Sequence, residues 1–480
     1  MKNLRTSIAL LLFVLAGARA QNPIVLVGAT LIDGSGGPPV PNSAVMIEGS
    51  KITHVGLSES MIINGQLARK IRTPQGMIDI PESAGVYDVS GKTLMPGLID
   101  AHIHYDGVKR DLVQMLAWGV TSVNCMVEET DRARALEKET APDTVASPQF
   151  YATAPIFTAK HGWWWGKDFP DDSSLNRFPS TPAEARAQVR RAKAKGIKRI
   201  KLMYDDMRWC RDTLAPLVRM NKNVMAALLD EAGRDGLVAE VHAPQMKDAR
   251  EVLASGFSKK RKTAAQDTSA HIEEIGSFGF AHGILDDTLS DGFVKSMLSK
   301  HAFYIPTFCV FEFLANTPKF IGLATGDSRL QAALPESVYY KYNSQAYFDH
   351  YRKTYPNTAF VNSHLPILRR NAKVLLAHHV PVVLGTDMWA IPGYGVHLEL
   401  EYMVQAGFTP MEAIVSATKM GARFLGREST LGTIEAGKQA DILILNAIPT
   451  QYVPNTRSVW KIIKQGMMYD HQELIDESRK

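Results

Sequence analysis

A chain of 480 residues is too long for one small domain and long enough for a large barrel with a smaller companion unit. Apolar residues make up 45% of it, the share of an ordinary globular core rather than of a disordered chain. Removing the three basic residues of the leader described below (Lys2, Arg5 and Arg19, with no acid) lowers the formal charge from +5 to +2, so nothing favours nucleic acid or an anionic membrane as a partner.

In chain order, Lys2 and Arg5, the apolar run Ile8 to Leu15 and Ala18-Arg19-Ala20 predict a secretory signal peptide over residues 1–20, cleaved before Gln21. The run is far short of the ~20 residues that span a bilayer, so export to the periplasm or exterior of a bacterium, without stable membrane insertion, is expected. Residues 22–92 are predicted all-β, from β-branched runs such as Ile24-Val-Leu-Val-Gly, Ala44-Val-Met-Ile-Glu-Gly and Lys51-Ile-Thr-His-Val-Gly cut by turn residues. Ala440-Asp-Ile-Leu-Ile-Leu-Asn and Val459-Trp-Lys-Ile-Ile-Lys-Gln-Gly have the same character. The two ends, 21–92 and 430–480, therefore predict a small β-sandwich around a different unit, 93–429. Within that unit, strand candidates 98–104, 119–126, 148–157, 197–204, 237–243, 279–284, 301–308 and 381–387 alternate with helices. Thr181-Pro-Ala-Glu184 and Thr409-Pro-Met-Glu412 open two of those helices as capping boxes with proline at the first helical position, and Gly196 closes the first. This is the pattern of an α/β fold, a (β/α)8 TIM-type barrel, whose reactive residues belong at the carboxyl ends of the strands.

Chemistry-bearing residues fall at those ends. His102 and His104 close the first strand candidate at i and i+2, so they face the same way. Two such imidazoles can chelate one metal ion, or merely decorate an alternating surface strand. Lys201 lies in the fourth candidate, His242 ends the fifth, His282 the sixth and Asp387 the eighth. Each alone fits packing, a solvated lysine or a helix cap; together they point to a metal site. Tyr204 is placed either to donate to a substrate carbonyl or carboxylate or to pack on the barrel rim. His161-Gly-Trp163-Trp164-Trp165 follows the third strand and either meets an apolar or aromatic substrate or packs its own loop. His378 and His379 precede the eighth strand at the opposite end and read as surface residues, whereas His397 and Glu399 sit close enough to Asp387 for a supporting role. Cys125, Cys210 and Cys309 are scattered and odd in number, which fits neither a disulfide framework nor a CxxC knuckle. Cys125 and Cys309, in apolar strand-like runs, read as core. There is no GxSxG, and no cysteine stands beside a candidate catalytic histidine in sequence.

The segments PGLIDAHIH (96–104), IKLMYDD (200–206), VHAP (241–244), FAHG (280–283), LGTDMW (384–389) and GTIEAGKQADILIL (432–445) run in this order across nearly the whole mature chain. Together they resemble the amidohydrolase superfamily, particularly its prolidase-like and imidazolonepropionase-like branch of metal-dependent hydrolases. The resemblance implies two divalent ions, commonly zinc. His102, His104 and Asp387 would hold one and His242 and His282 the other. Lys201 would bridge both as a carbamate formed with CO2, because an ammonium cannot ligate. It further implies hydrolysis of an amide or peptide C–N bond, in an N-acyl amino acid, dipeptide or cyclic amide, by a metal-bridging hydroxide. Asp387 would take the water proton and pass it to the leaving nitrogen. A lactonase or esterase on the same metals is the alternative, and a non-catalytic scaffold is disfavoured by the complete ligand set. One departure is a basic insertion at 257–270, before the sixth strand. A small-molecule amide or peptide is the expected partner, with homo-oligomerisation left open.

Overall fold

The computed structural model describes residues 22–63, 66–127, 129–163, 177–255 and 276–480; the signal peptide expected over residues 1–20, Trp164, Trp165 and the 257–270 segment lie outside these. The β-rich ends meet in a single ten-stranded sheet. Ile442–Leu445 from the far end pairs antiparallel with Thr93–Pro96, which pairs parallel with Ile24–Leu31. Instead of the two sheets of the expected sandwich, one sheet doubles back, because Lys51 bridges Gln439 and the Ile52 N–H bonds to Lys438 O at 2.9 Å. The period-two alternation of the first two strands explains why one sheet carries two cores. Ile24, Leu26, Val45 and Ile47 pack with Ile442, Ile444 and Ile463, while Val25, Val27, Ala44 and Met46 pack with Ile71.

Among the described residues the middle holds eight parallel strands. The expected 148–157 strand breaks after Thr153, its end Ile156–Phe157 joining a different sheet. The other six expected strands before 381 each recur, mostly shorter than expected. Leu98–His104, Val120–Met126 and Gln149–Thr153 form a three-stranded sheet. Arg199–Met203, Val238–His242, Phe278–Ala281 and Phe303–Ile305 join the short Ile156–Phe157 in a five-stranded one. Single backbone bonds cross both seams: Ala154 N–H to Arg199 O at 3.0 Å on one side, Ala101 N–H to Leu384 O at 3.0 Å and Asp387 N–H to His102 O at 2.8 Å on the other. The expected eighth strand, 381–387, is not a full strand. Pro381 offers no N–H, and pairing reduces to one bridge, Tyr304 with Val382. Gly385 allows this segment to press on the first strand, since a Cβ there would stand 2.8 Å from His102 Cβ.

Both predicted capping residues cap their helices. Thr181 accepts from Glu184 N–H at the start of Pro182–Ala194, and Thr409 and Glu412 form a complete capping box on Pro410–Ser416. Between Phe303–Ile305 and residue 381 the chain makes not one crossover helix but six, from Phe308–Ala315 to Thr358–Ala377. Cys309 belongs to the first of these helices, correcting its placement on a strand; it is buried, as are Cys125 and Cys210. No described helix is long and apolar enough to cross a membrane.

Candidate metal centre

Strand alternation builds the floor of the site. On Leu98–His104, residues 100, 102 and 104 share a face; on Arg199–Met203, residues 201 and 203; on Val238–His242, residues 240 and 242. Parallel register sets Lys201 beside Glu240 and Met203 beside His242. The six expected ligands converge. His104 Nε2 lies 3.4 Å from Asp387 Oδ1 and His102 Nε2 lies 3.9 Å from the same oxygen. His282 Nδ1 is 3.8 Å from Asp387 Oδ2, and Lys201 Nζ is 3.5 Å from His102 Nε2. The rings of His242 and His282 are 4.6 Å apart, those of His282 and His102 4.8 Å. Ligand atoms of His102, His104 and Asp387 all lie within 4.8 Å of one another.

Backbone conformation concentrates strain here. His282, Thr307, Asp387 and Met207 have φ of 82°, 48°, 51° and 59°, a region that costs a non-glycine residue on the order of 1–3 kcal/mol. Surrounding bonds hold them. Asp100 accepts from the N–H groups of His102 and Thr386 at 3.1 and 3.0 Å and from the Thr386 hydroxyl at 2.7 Å, fastening the eighth segment to the first strand. Thr307 Oγ1 lies 2.9 Å from His282 Nδ1, and Asp205 Oδ2 lies 2.9 Å from His242 Nε2. Glu240, behind His102, accepts from Asn124 and Thr153, both at 2.7 Å. None of Asp100, Asp205, Glu240 or Thr307 was read from the sequence. Asp100 and Glu240 each stand two residues before a ligand histidine on the same strand face, which was the available signal.

Burial dominates the electrostatics. It lowers all four histidines, His104 to about 3, with the Lys201 ammonium adding to the effect. Desolvation also lowers Lys201, against the pull of Glu240 and Asp387, and raises Asp387 despite Lys201. Four imidazoles whose burial disfavours the charged form, gathered with one carboxylate and one amine, form the donor chemistry a divalent ion requires.

Above this floor is a cavity of about 280 Å3, reached by His104, Lys201, His242, His282 and Asp387 and walled by Trp163, Trp209, Phe311, Tyr351, Tyr355 and Trp389. The inserted segment supplies three of these rings, Phe311 and Tyr351 from its helices and Tyr355 from just beyond one. Trp389 Nε1 donates to the Tyr351 hydroxyl at 2.7 Å, and Trp163 tilts on Tyr355 at 6.0 Å. Tyr204 does not reach the cavity. Its even position turns it away from Lys201 into the core, where it donates to Glu251 beneath the Arg219 guanidinium. His397 and Glu399 do not touch the ligands either. His397 is wedged between Thr456 and Trp118 O, and Glu399 accepts from the N–H groups of Phe308 and Cys309, satisfying the start of the first inserted helix. His378 and His379 are exposed, as expected. Burial raises the thiols of Cys210 and Cys309, which removes them as nucleophiles.

The model of the amidohydrolase family matches residues 93–468. An imidazolonepropionase of Alkaliphilus metalliredigens is 30% identical over 116 residues, and one of Salmonella typhimurium 32% over 104. These matches span 22% and 20% of this chain and 26% of each relative, so the chain aligns with about a quarter of their length. Solved structures match nearly end to end. A Xaa-Pro dipeptidase with bound methionine has a TM-score of 0.67 at 18% identity, covering 94% of this chain and 100% of that one. An A. niger ochratoxinase has a TM-score of 0.63 at 18% identity, covering 94% and 96%. At such identity the likeness carries the fold, a TIM barrel with a second domain. With a family match over most of its length and the family's fold, the chain belongs to the amidohydrolase family.

Proposed function

We propose that this protein is a metal-dependent hydrolase of an amide or peptide C–N bond. The observation that carries the proposal is the convergence of His104, Lys201, His242, His282 and Asp387 on the floor of one aromatic-walled cavity, with His102 buried against Lys201 and Asp387. His102, His104 and Asp387 would hold one divalent ion, and His242 and His282 a second, with zinc suited to these nitrogen and oxygen donors. Lys201 qualifies as a bridge only after its amine adds to CO2, releasing one proton and forming a carbamate. When bound, the ions supply Lewis acidity toward the scissile carbonyl and acidify a water for attack near neutral pH. Asp387, half-buried beside His104 at the cavity floor, takes the proton of the attacking water and delivers it to the leaving nitrogen. The C–N bond is replaced by C–O on the acyl side and N–H on the amine side. Trp163, Trp209, Phe311, Tyr351, Tyr355 and Trp389 would exclude water and orient a bulky apolar or aromatic group of the substrate. Export is part of this reading, on the strength of residues 1–20, and mass spectrometry of exported protein should find Gln21 first.

The test combines metal analysis with a substrate panel of N-acyl amino acids, dipeptides, cyclic amides and lactones, each with small and aromatic members. Two equivalents of zinc and turnover of aromatic amides are expected. Lys201→Ala should lose both metal and turnover, with partial rescue by short carboxylic acids. Lactone turnover without amide turnover would replace the proposal by an ester hydrolase on the same centre. Zinc-supplemented protein that holds no metal and cleaves nothing in the panel would overturn it.

A further inference from the structure

Just past Arg199–Met203, Asp205 carries an acceptor-only carboxylate that is 2% exposed and meets three donors. Oδ1 accepts from the Met207 N–H at 2.9 Å, stabilising the left-handed turn at Met207. Oδ2 accepts from the Trp209 indole at 2.7 Å and lies 2.9 Å from His242 Nε2. The Tyr204 N–H adds a bond to His242 O at 3.0 Å, so side chain and backbone of adjacent residues grip the same histidine. Since a carboxylate only accepts and an indole N–H only donates, the His242 proton must sit on Nε2. The lone pair is then on Nδ1. A carboxylate behind the remote ring nitrogen fixes ring orientation and raises ligand basicity, and losing such a partner typically costs 10–100-fold in metal affinity.

We propose that Asp205 is the positioning residue of the metal centre: it sets the tautomer and angle of His242 and ties that ligand to the pocket wall at Trp209. This rests on the metal-centre reading above. Asparagine cannot replace it, because its single carbonyl oxygen serves either Met207 and its turn or the Trp209–His242 pair. If its NH2 group faces His242, the imidazole must adopt the opposite tautomer.

The test uses zinc alone as probe, with equivalents bound and chelator competition as readouts. Ring-nitrogen NMR of the metal-free, histidine-labelled protein reports the tautomer. Wild-type protein should bind two equivalents and show a histidine protonated at Nε2 that is lost on His242→Ala. Asp205→Ala should weaken one equivalent 10–100-fold, leave the other in place and shift the His242 tautomer signal; Asp205→Asn, which keeps an acceptor on one side only, should weaken the same equivalent. Trp209→Phe removes one donor but not Asp205, and should keep both equivalents. If Asp205→Ala fails to fold, Asp205→Asn, of nearly the same shape, decides the question. Asp205 variants with unchanged melting temperature, both equivalents at wild-type affinity and an unchanged tautomer would overturn the role of Asp205 alone. Wild-type protein that binds no zinc would overturn the metal-centre reading, and this inference with it.

Discussion

Asp387 is asked both to ligate and to carry a proton, and a single-atom change separates the two tasks. Asp387→Asn keeps an oxygen that can approach a cation but not the basic carboxylate, so the rate constant for turnover should fall about 10²–10⁴-fold. Metal content measured on the same sample checks it, and near-native turnover at full occupancy would remove Asp387 from proton transfer. Glu399 gives a different residue-level test. Burial raises its carboxyl from the ordinary carboxylate range to about 8, despite the two backbone N–H groups from which it accepts. A folded value above the unfolded one means that the folded state binds the proton more tightly. The resulting stability is fully present below the unfolded value and is lost as pH rises to about 8. The stability of wild type relative to Glu399→Gln should therefore fall steadily from pH 5 to pH 8. Denaturant titrations at three or four pH values measure it, and a wild type that gains stability over the variant as pH rises would contradict the assignment.

At the scale of elements, specificity belongs to segments beyond the strand ends, while the ligands stay on the strands. The loop after Ile156–Phe157 presents Trp163 to the cavity, and helix Gln345–Thr354 with the following Tyr355 completes the opposite wall. Trp163→Ala should lower kcat/KM for aromatic substrates selectively, with zinc content and melting temperature preserved. Equal losses for small and aromatic substrates together with a lower melting temperature would mean that Trp163 only packs against Tyr355. The capping threonines illustrate what an element can disclose of itself. Thr181 and Thr409 act on N–H groups three residues ahead, and nothing beyond the helix is needed for that bond. The six-helix insertion is the opposite case. Its helices are mostly short, and their apolar residues are shared with Trp389, Met388 and the barrel, so a single helical period does not show through.

For the whole molecule, the candidate ligands are spread along the chain from residue 102 to residue 387, so metal should stabilise the fold as well as serve the reaction. Chelation should abolish turnover and lower the melting temperature. Zinc at a hundredfold excess over its dissociation constant should restore about 2.7 kcal/mol per site. Calorimetry with and without chelator measures this, and a melting temperature indifferent to chelator would show that no ion is held by the folded chain.

The sequence by itself determined the local and periodic properties: the positions of seven strands, two helix caps, the β-rich character of both termini, and four histidines, a lysine and an aspartate in or just beyond those segments. Each of these depends on alternation or on contacts within a few residues. The tertiary structure alone decided what depends on partners distant in the chain. It turned Tyr204 into the core and gave Glu399 to a helix start. It merged both termini into one sheet and reduced 381–387 to a single bridge. It also set Asp205 behind His242 and raised an aromatic wall from the inserted helices. A buried carboxylate is defined by which donors surround it, and Asp100, Asp205, Glu240 and Glu399 take theirs from chain neighbours in part and from across the barrel in part. That is why strand periodicity brought the candidate ligands together but not the groups that hold them.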